Sequence, residues 1–224
     1  TIWYLANNPY TVNLRGTAYY QPDVAGYAVG ERGVVLYSSS AGQNWIKRRD
    51  DIYPYNLNAV LMKNKSYAIA IGDSGMVLKT TDEGITWHQV NLGTNKNLRS
   101  ISSNGDNILI VGADGAGFRS TNYGTTWYPS TLAAGIDFIS VSHATNPTAA
   151  AVSQSGKIFA TSNNGQSWYQ ELELYNKEPT SISFFNYSTG AIATKEGFVL
   201  FRNSIVPVEL ISFRISRINN GVLL

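Results

Sequence analysis

The stretch Thr80-Thr81-Asp82-Glu83-Gly84-Ile85-Thr86-Trp87-His88-Gln89-Val90 sets an acidic residue, a glycine, a threonine and a tryptophan within six positions. The same order returns at Ser38–Trp45, Ser120–Trp127 and Thr161–Trp168. The acidic place is filled by Ser40, Asp82, Asn122 and Asn163 in turn. An ionised general acid, base or metal ligand would not survive that exchange. A turn acceptor would, because Ser, Asp and Asn can all bond nearby backbone N–H groups. Gly42, Gly84, Gly124 and Gly165 then supply a positive φ, and Trp45, Trp87, Trp127 and Trp168 cover the loop. The box therefore reads as a folding device.

Its spacing decides the architecture. Five tryptophans stand at positions 3, 45, 87, 127 and 168, a period of 40 to 42 residues. Gly33, Gly75, Gly115 and Gly156 each precede a tryptophan by twelve. A further unit from Thr189 keeps Gly197, but Glu209 stands where its tryptophan would fall. Within unit two, LNAVLM, YAIAIG, MVLKT and TWHQV read as four short strands bounded by turn residues. Four strands every ~40–45 residues is the pattern of a β-propeller. The units run over about 11–50, 51–91, 92–131, 132–173 and 174–210. A short composite blade from 211–224 and 1–10 would close the ring as one domain over 1–224, with Thr1–Tyr4 as its outer strand. Six blades is the favoured count, with five, or a piece of a larger ring, as the alternatives.

Composition agrees with an all-β chain and bounds its chemistry. The 224 residues suffice for one substantial core, and only 14% are charged. A net charge of +2 predicts no nucleic-acid partner, and the run Lys47-Arg48-Arg49 meets Asp50-Asp51 at once. No cysteine is present, which removes disulfides, thiolate metal sites and a cysteine nucleophile. No apolar run reaches the ~20 residues of a membrane span. The chain opens on Thr1, as a processed or partial product would.

The units Gly26–Ser39 and Tyr67–Trp87 resemble the Asp-box, or BNR, repeat in its YCF48-like (photosystem II assembly factor-like) branch. The resemblance implies a propeller that binds partners and performs no chemistry, with no cofactor. Repeats of this kind occur in assembly factors, bacterial surface proteins and phage virion proteins. It favours a virion or an extracellular, periplasmic or lumenal setting over the cytoplasm.

Asp-boxes also occur in sialidases, whose Phe/Tyr-Arg-Ile-Pro strand is echoed only by Phe213-Arg214-Ile215-Ser216, after every box. A glycosidase needs two converging carboxylates. Asp137 and Glu196 are available, but the sequence gives no reason to pair them, and no glutamate sits beside a tyrosine in an activating setting. His88 and His143, the two histidines, come without a nucleophile elbow or zinc spacing. Gly112–Gly117 lacks the helix a phosphate loop requires. No catalytic or metal residue is assigned.

Partner contacts are expected on a channel mouth. Aligning N-L-R, N-L-N, N-L-R, G-I-D and E-P-T makes Arg15, Asn58, Arg99, Asp137 and Thr180 equivalent. Glu31, Arg32, Asp73 and Asp114 should lie nearby, and Tyr53 and Tyr55 form an aromatic loop. A protein partner within a larger assembly ranks first, a glycan second and glycoside hydrolysis last.

Overall fold

The computed structural model describes residues 10–21, 24–49, 54–130, 132–186 and 188–203. The chain divides into two compact units, Thr1–Ile101 and Ser102–Leu224.

In the first unit, β1 (Leu14–Tyr20), β2 (Ala25–Gly30), β3 (Val35–Ser38) and β4 (Ile46–Arg49) form an antiparallel meander. A second follows in β5 (Leu57–Met62), β6 (Ala68–Gly72), β7 (Val77–Thr80) and β8 (His88–Gln89). The third sheet has the order β9 (Leu98–Asn104), β10 (Asn107–Gly112), β11 (Gly117–Ser120), β12 (Tyr128–Pro129), and the division between units falls within β9. In the second unit, β13 (Phe138–Thr145), β14 (Thr148–Ser153), β15 (Lys157–Thr161) and β16 (Tyr169–Glu173) form the fourth sheet. β17 (Pro179–Phe184), β18 (Thr189–Thr194) and β19 (Val199–Asn203) form the fifth. These meanders are β-propeller blades. The fifth shows three strands, not four, among the described residues, and the composite closing blade lies outside them.

Burial follows strand position. The second strands, AGYAVG, AIAIG, NILIVG and TAAAVS, are buried almost throughout. Within each unit the core lies between consecutive blades. Tyr27, Val29 and Tyr37 pack with Leu57, Val60 and Leu78 from the next sheet. Leu109 and Val111 pack with Phe138, Val141 and Phe159, and Val152 and Ile158 with Ile182 and Leu200. Burying each such side chain contributes ~1.5–3 kcal/mol.

Serines tie first strands together in the second unit. Ser102 Oγ accepts the His143 N–H at 3.1 Å, Ser140 Oγ that of Ile182 at 3.2 Å, and Ser142 Oγ that of Phe184 at 3.0 Å. A first strand bonds only one neighbour in its own sheet, so these hydroxyls satisfy N–H groups on its other edge.

The basic run is also held by the fold. Lys47 and Arg48 lie over the rings of Tyr10 and Tyr37, 4.9 and 5.1 Å from the centroids, and Arg49 Nη1 donates to Gly33 O. Asp50 and Asp51 lie outside the described residues.

Candidate functional site

Each four-stranded blade has two ends of different chemistry. One carries the turn between its first two strands together with the tryptophan box: Glu83, Tyr123 and Asn164 N–H donate to Ser66, Asp106 and Pro147 carbonyls. The other carries the turn between second and third strands beside the entry of the first.

At the box end a single network recurs. A buried hydroxyl, Ser38, Thr80, Ser120 or Thr161, accepts the box glycine N–H at 2.8 to 3.1 Å. Thr80, Ser120 and Thr161 also donate to Asp82, Asn122 and Asn163 Oδ1 at 2.8 to 3.0 Å. That oxygen accepts the N–H of Thr86, Thr126 or Ser167 at 2.8 to 3.0 Å, and Ser40 Oγ does the same for Asn44. The turn places two successive residues at positive φ, as at Glu83 (61°) and Gly84 (76°), closed by Ile85 N–H to Asp82 O. Accepting Thr86 hydrogen bonds brings the Asp82 carboxyl down to about 2. Trp45 Nε1 donates to Gly42 O within its own loop, whereas two other tryptophans reach further. Trp87 meets the Tyr27 ring edge-on at 5.6 Å, and Trp168 Nε1 donates to Ser130 Oγ at 2.8 Å, both in the preceding blade.

At the opposite end the turn is given to the next blade. Arg32 and Gly33, Ser74 and Gly75, and Asp114 and Gly115 all have positive φ. The N–H of the first residue is bound by a side chain entering the next blade: Arg32 by Asn56 Oδ1, Ser74 by Asn97 Oδ1 and Asp114 by Asp137 Oδ1, at 2.9 to 3.1 Å. Gly75 and Gly115 N–H then reach Lys96 O and Ile136 O. We call this arrangement the clamp.

The clamp corrects one equivalence. Leu57 pairs with Gly72 and Phe138 with Ser153, so Asp137 matches Asn56 and Asn97, and Ile139 occupies the place of Asn58. Ile136 resembles the leucine of N-L-R in sequence, yet the fully buried residue is Phe138. Asp137 therefore closes a turn instead of standing in the ring with Arg15. Arg15 and Asn58 do come together: Arg15 Nη1 donates to Asn58 Oδ1 at 3.0 Å and Nη2 pairs with Glu31 at 3.3 Å. Asn58 and Asn56 Nδ2 each donate to one Asp73 oxygen, at 2.9 and 2.8 Å. Arg99 follows Leu98 on β9, and Thr180 Oγ1 donates to Ala193 O. Tyr55 is exposed; Tyr53 lies outside the described residues.

Two pairings relevant to catalysis were not evident in sequence. Tyr37 Oη donates to Glu83 Oε2 at 3.2 Å, a tyrosine–glutamate pair formed across 46 positions. Tyr37 is 2% exposed, so it cannot meet a substrate. Asp137 and Glu196 line one open cleft of about 680 Å³ in the second unit. Each is already held: Asp137 Oδ1 by Asp114 N–H, and Glu196 Oε1 by Glu178 N–H at 2.9 Å. Hydrogen bonding, from Thr194 first, lowers the Glu196 carboxyl, whereas a glycosidase acid needs one raised. His143 is buried, with Nδ1 on Ser102 Oγ at 3.0 Å and Nε2 unpartnered, and burial brings it down to about 4. His88 lies exposed on β8. Among the described residues no cluster of His, Asp or Glu could hold a metal, and no helix is long and apolar enough to cross a membrane.

Comparison with known proteins places this geometry. The family model described as photosynthesis system II assembly factor YCF48 matches residues 2–128 and 76–177, overlapping matches that together run from 2 to 177. The structure of YCF48 bound to D1 peptide is 20% identical with TM-score 0.70, covering 86% of this chain and 65% of that one. YCF48 from Cyanidioschyzon merolae is 18% identical with TM-score 0.73, covering 94% and 73%. An ancestral GH74 enzyme is 15% identical with TM-score 0.75, covering 96% of this chain but 32% of its own. These three likenesses establish the β-propeller fold alone. The chain spans 65% of the length of the peptide-bound YCF48. A search of curated proteins finds no match.

Proposed function

We propose, from the premise that this chain belongs to the photosynthesis system II assembly factor YCF48 family, that it is a non-enzymatic propeller binding a protein partner at the clamp end of its blades. The observation that carries this reading is the contrast between what repeats there and what does not. The clamp acceptors Asn56, Asn97 and Asp137 recur because the turn needs them. Beside them stand Arg15, Asn58 and Arg99, positions at which the fold accepts different residues. Exposed Arg15 and half-buried Glu31, Asn58 and Asp73 form a network of alternating charge and amide. Such a surface suits polar, oriented contacts more than burial of a small apolar ligand. A relative described as bound to D1 peptide makes a peptide segment the natural kind of partner. The settings that fit are a phage virion component, on tail or capsid surface, and a bacterial assembly factor on an extracellular, periplasmic or lumenal side.

The test is a cross-linked native pull-down from source material, read by mass spectrometry, with wild type and an Arg15→Ala, Arg99→Ala variant side by side. The expected result is a stoichiometric protein retained by wild type and weakened at least tenfold by the variant, about 1.4 kcal/mol. Equal retention by both would remove these arginines from the interface. Retention of glycan without protein would overturn the reading.

A further inference from the structure

Among the described residues the clamp is absent at the junction of blades four and five, and the open cleft lies there. Gln154, Ser155 and Gly156 hold the turn positions of Asp73, Ser74 and Gly75, as the pairs Val152–Ile158 and Ile71–Val77 fix. Of the three, only Gly156 has a positive φ. The turn closes on itself: Gly156 N–H donates to Ser153 O and Lys157 N–H to Ser153 Oγ at 2.9 Å. Glu178 stands where Asn56, Asn97 and Asp137 act, but its carboxylate pairs with Lys195 of its own blade. The Ser155 N–H consequently makes no hydrogen bond among the described residues.

The surrounding charges divide into committed and uncommitted groups. Asp137, Glu178 and Glu196 each bind a donor already. Lys177 lies over the Phe198 ring, 3.9 Å from its centroid. Lys157 Nζ has no ion pair among the described residues. Two residues lining the cleft thus carry a donor without an acceptor among the described residues, the N–H of Ser155 and the ammonium of Lys157. The N–H at the same turn position in blade three, that of Asp114, takes a carboxylate oxygen at 2.9 Å.

We propose that the cleft between blades four and five binds a carboxylate of a partner peptide, an aspartate or glutamate side chain or a free C-terminus, on Ser155 N–H and Lys157 Nζ. This subsite rests on the proposal that the chain binds a protein partner. The incoming carboxylate replaces the clamp acceptor that Glu178 withholds, and charge-assisted bonds from N–H and ammonium fix its orientation.

The test is ¹H–¹⁵N correlation spectroscopy of the full chain, titrated with acetyl-Gly-Asp-Gly-amide, with acetyl-Gly-Gly-Gly bearing a free C-terminus, and with acetyl-Gly-Asn-Gly-amide. The Ser155 N–H is expected to shift saturably with a carboxylate probe and to stay still with the asparagine probe. The arm that binds more tightly identifies side chain or terminus. Lys157→Gln should weaken that binding roughly three- to tenfold. A silent Ser155, equal response to the asparagine probe, or unchanged affinity in Lys157→Gln overturns the subsite. A captured partner with silent Ser155 removes the subsite and leaves the scaffold reading standing. A responsive Ser155 with no captured protein removes the scaffold reading and keeps a carboxylate site.

Discussion

The box end and the clamp end of a blade use the same kind of turn for different purposes. At the box, two residues of positive φ are closed over a side-chain oxygen within the same loop. At the clamp, the equivalent turn leaves its N–H groups to the next blade. Ser, Asp and Asn interchange at the box because each offers one oxygen to the backbone N–H, while the second atom of Asp or Asn meets a hydroxyl that can donate or accept. The clamp cannot vary so freely without parting two blades, and where it lapses, at Ser155, a cleft appears. Repetition therefore marks what holds the fold, and departure from repetition marks where a ligand has room.

The sharpest way to break this comparison is at the turn glycines. A Cβ on Gly75 would lie 2.0 Å from Thr94 O at a φ of 72°, whereas one on Gly197, at φ 79°, meets nothing within 4 Å. Gly75→Ala should cost more than about 3 kcal/mol, and Gly197→Ala only the left-handed strain of about 1 kcal/mol. Chemical denaturation of both variants checks this; equal losses would deny that the clamp joins blades.

Acid should act next most strongly, at the first strands. Buried His143 has its pKa lowered from 6.5 to about 4. Below pH 6.5 the unfolded chain takes up the proton first, so stability present above that pH is lost as pH falls towards 4. The loss approaches about 3 kcal/mol. His143→Gln should flatten the profile in this window, and an unchanged slope would place the acid sensitivity elsewhere.

The smallest effects belong to the box. Asn122→Ala removes the acceptor of the Thr126 N–H and should cost about 1 kcal/mol. Asn122→Asp should be close to neutral at pH 7, since Asp82 performs the same task. Melting temperatures of the pair decide it: a large loss in Asn122→Asp would mean the box is more than a turn.

Much of this was legible in the chain. The tryptophan period and the box residues point to blades, because local turn chemistry is written in adjacent positions. The clamp was not legible, because Ser74 and Asn97 meet only when two blades pack. A signal for its loss does exist. Gly30, Gly72 and Gly112 end the second strands of clamped blades, where a Cβ on Gly72 would lie 2.0 Å from Asn56 O. Ser153 and Thr194 take that place in blades four and five and cap the turn themselves. The position of Asp137 was also recoverable: counting eleven residues from Trp87 and Trp127 lands on Leu98 and Phe138. The apolar Ile136 hid it. The Tyr37–Glu83 pair had no local signal at all.

The two ends carry different lysines, which makes the central claim open to one measurement. Lys96, Lys157, Lys177 and Lys195 lie about the clamp end, and Lys63 and Lys65 flank the turn beside the box. A captured partner, treated with an amine-reactive cross-linker and mapped by mass spectrometry, should be joined to the first group and not to the second. Cross-links concentrated on Lys63 and Lys65 would put the partner on the box end and contradict the account.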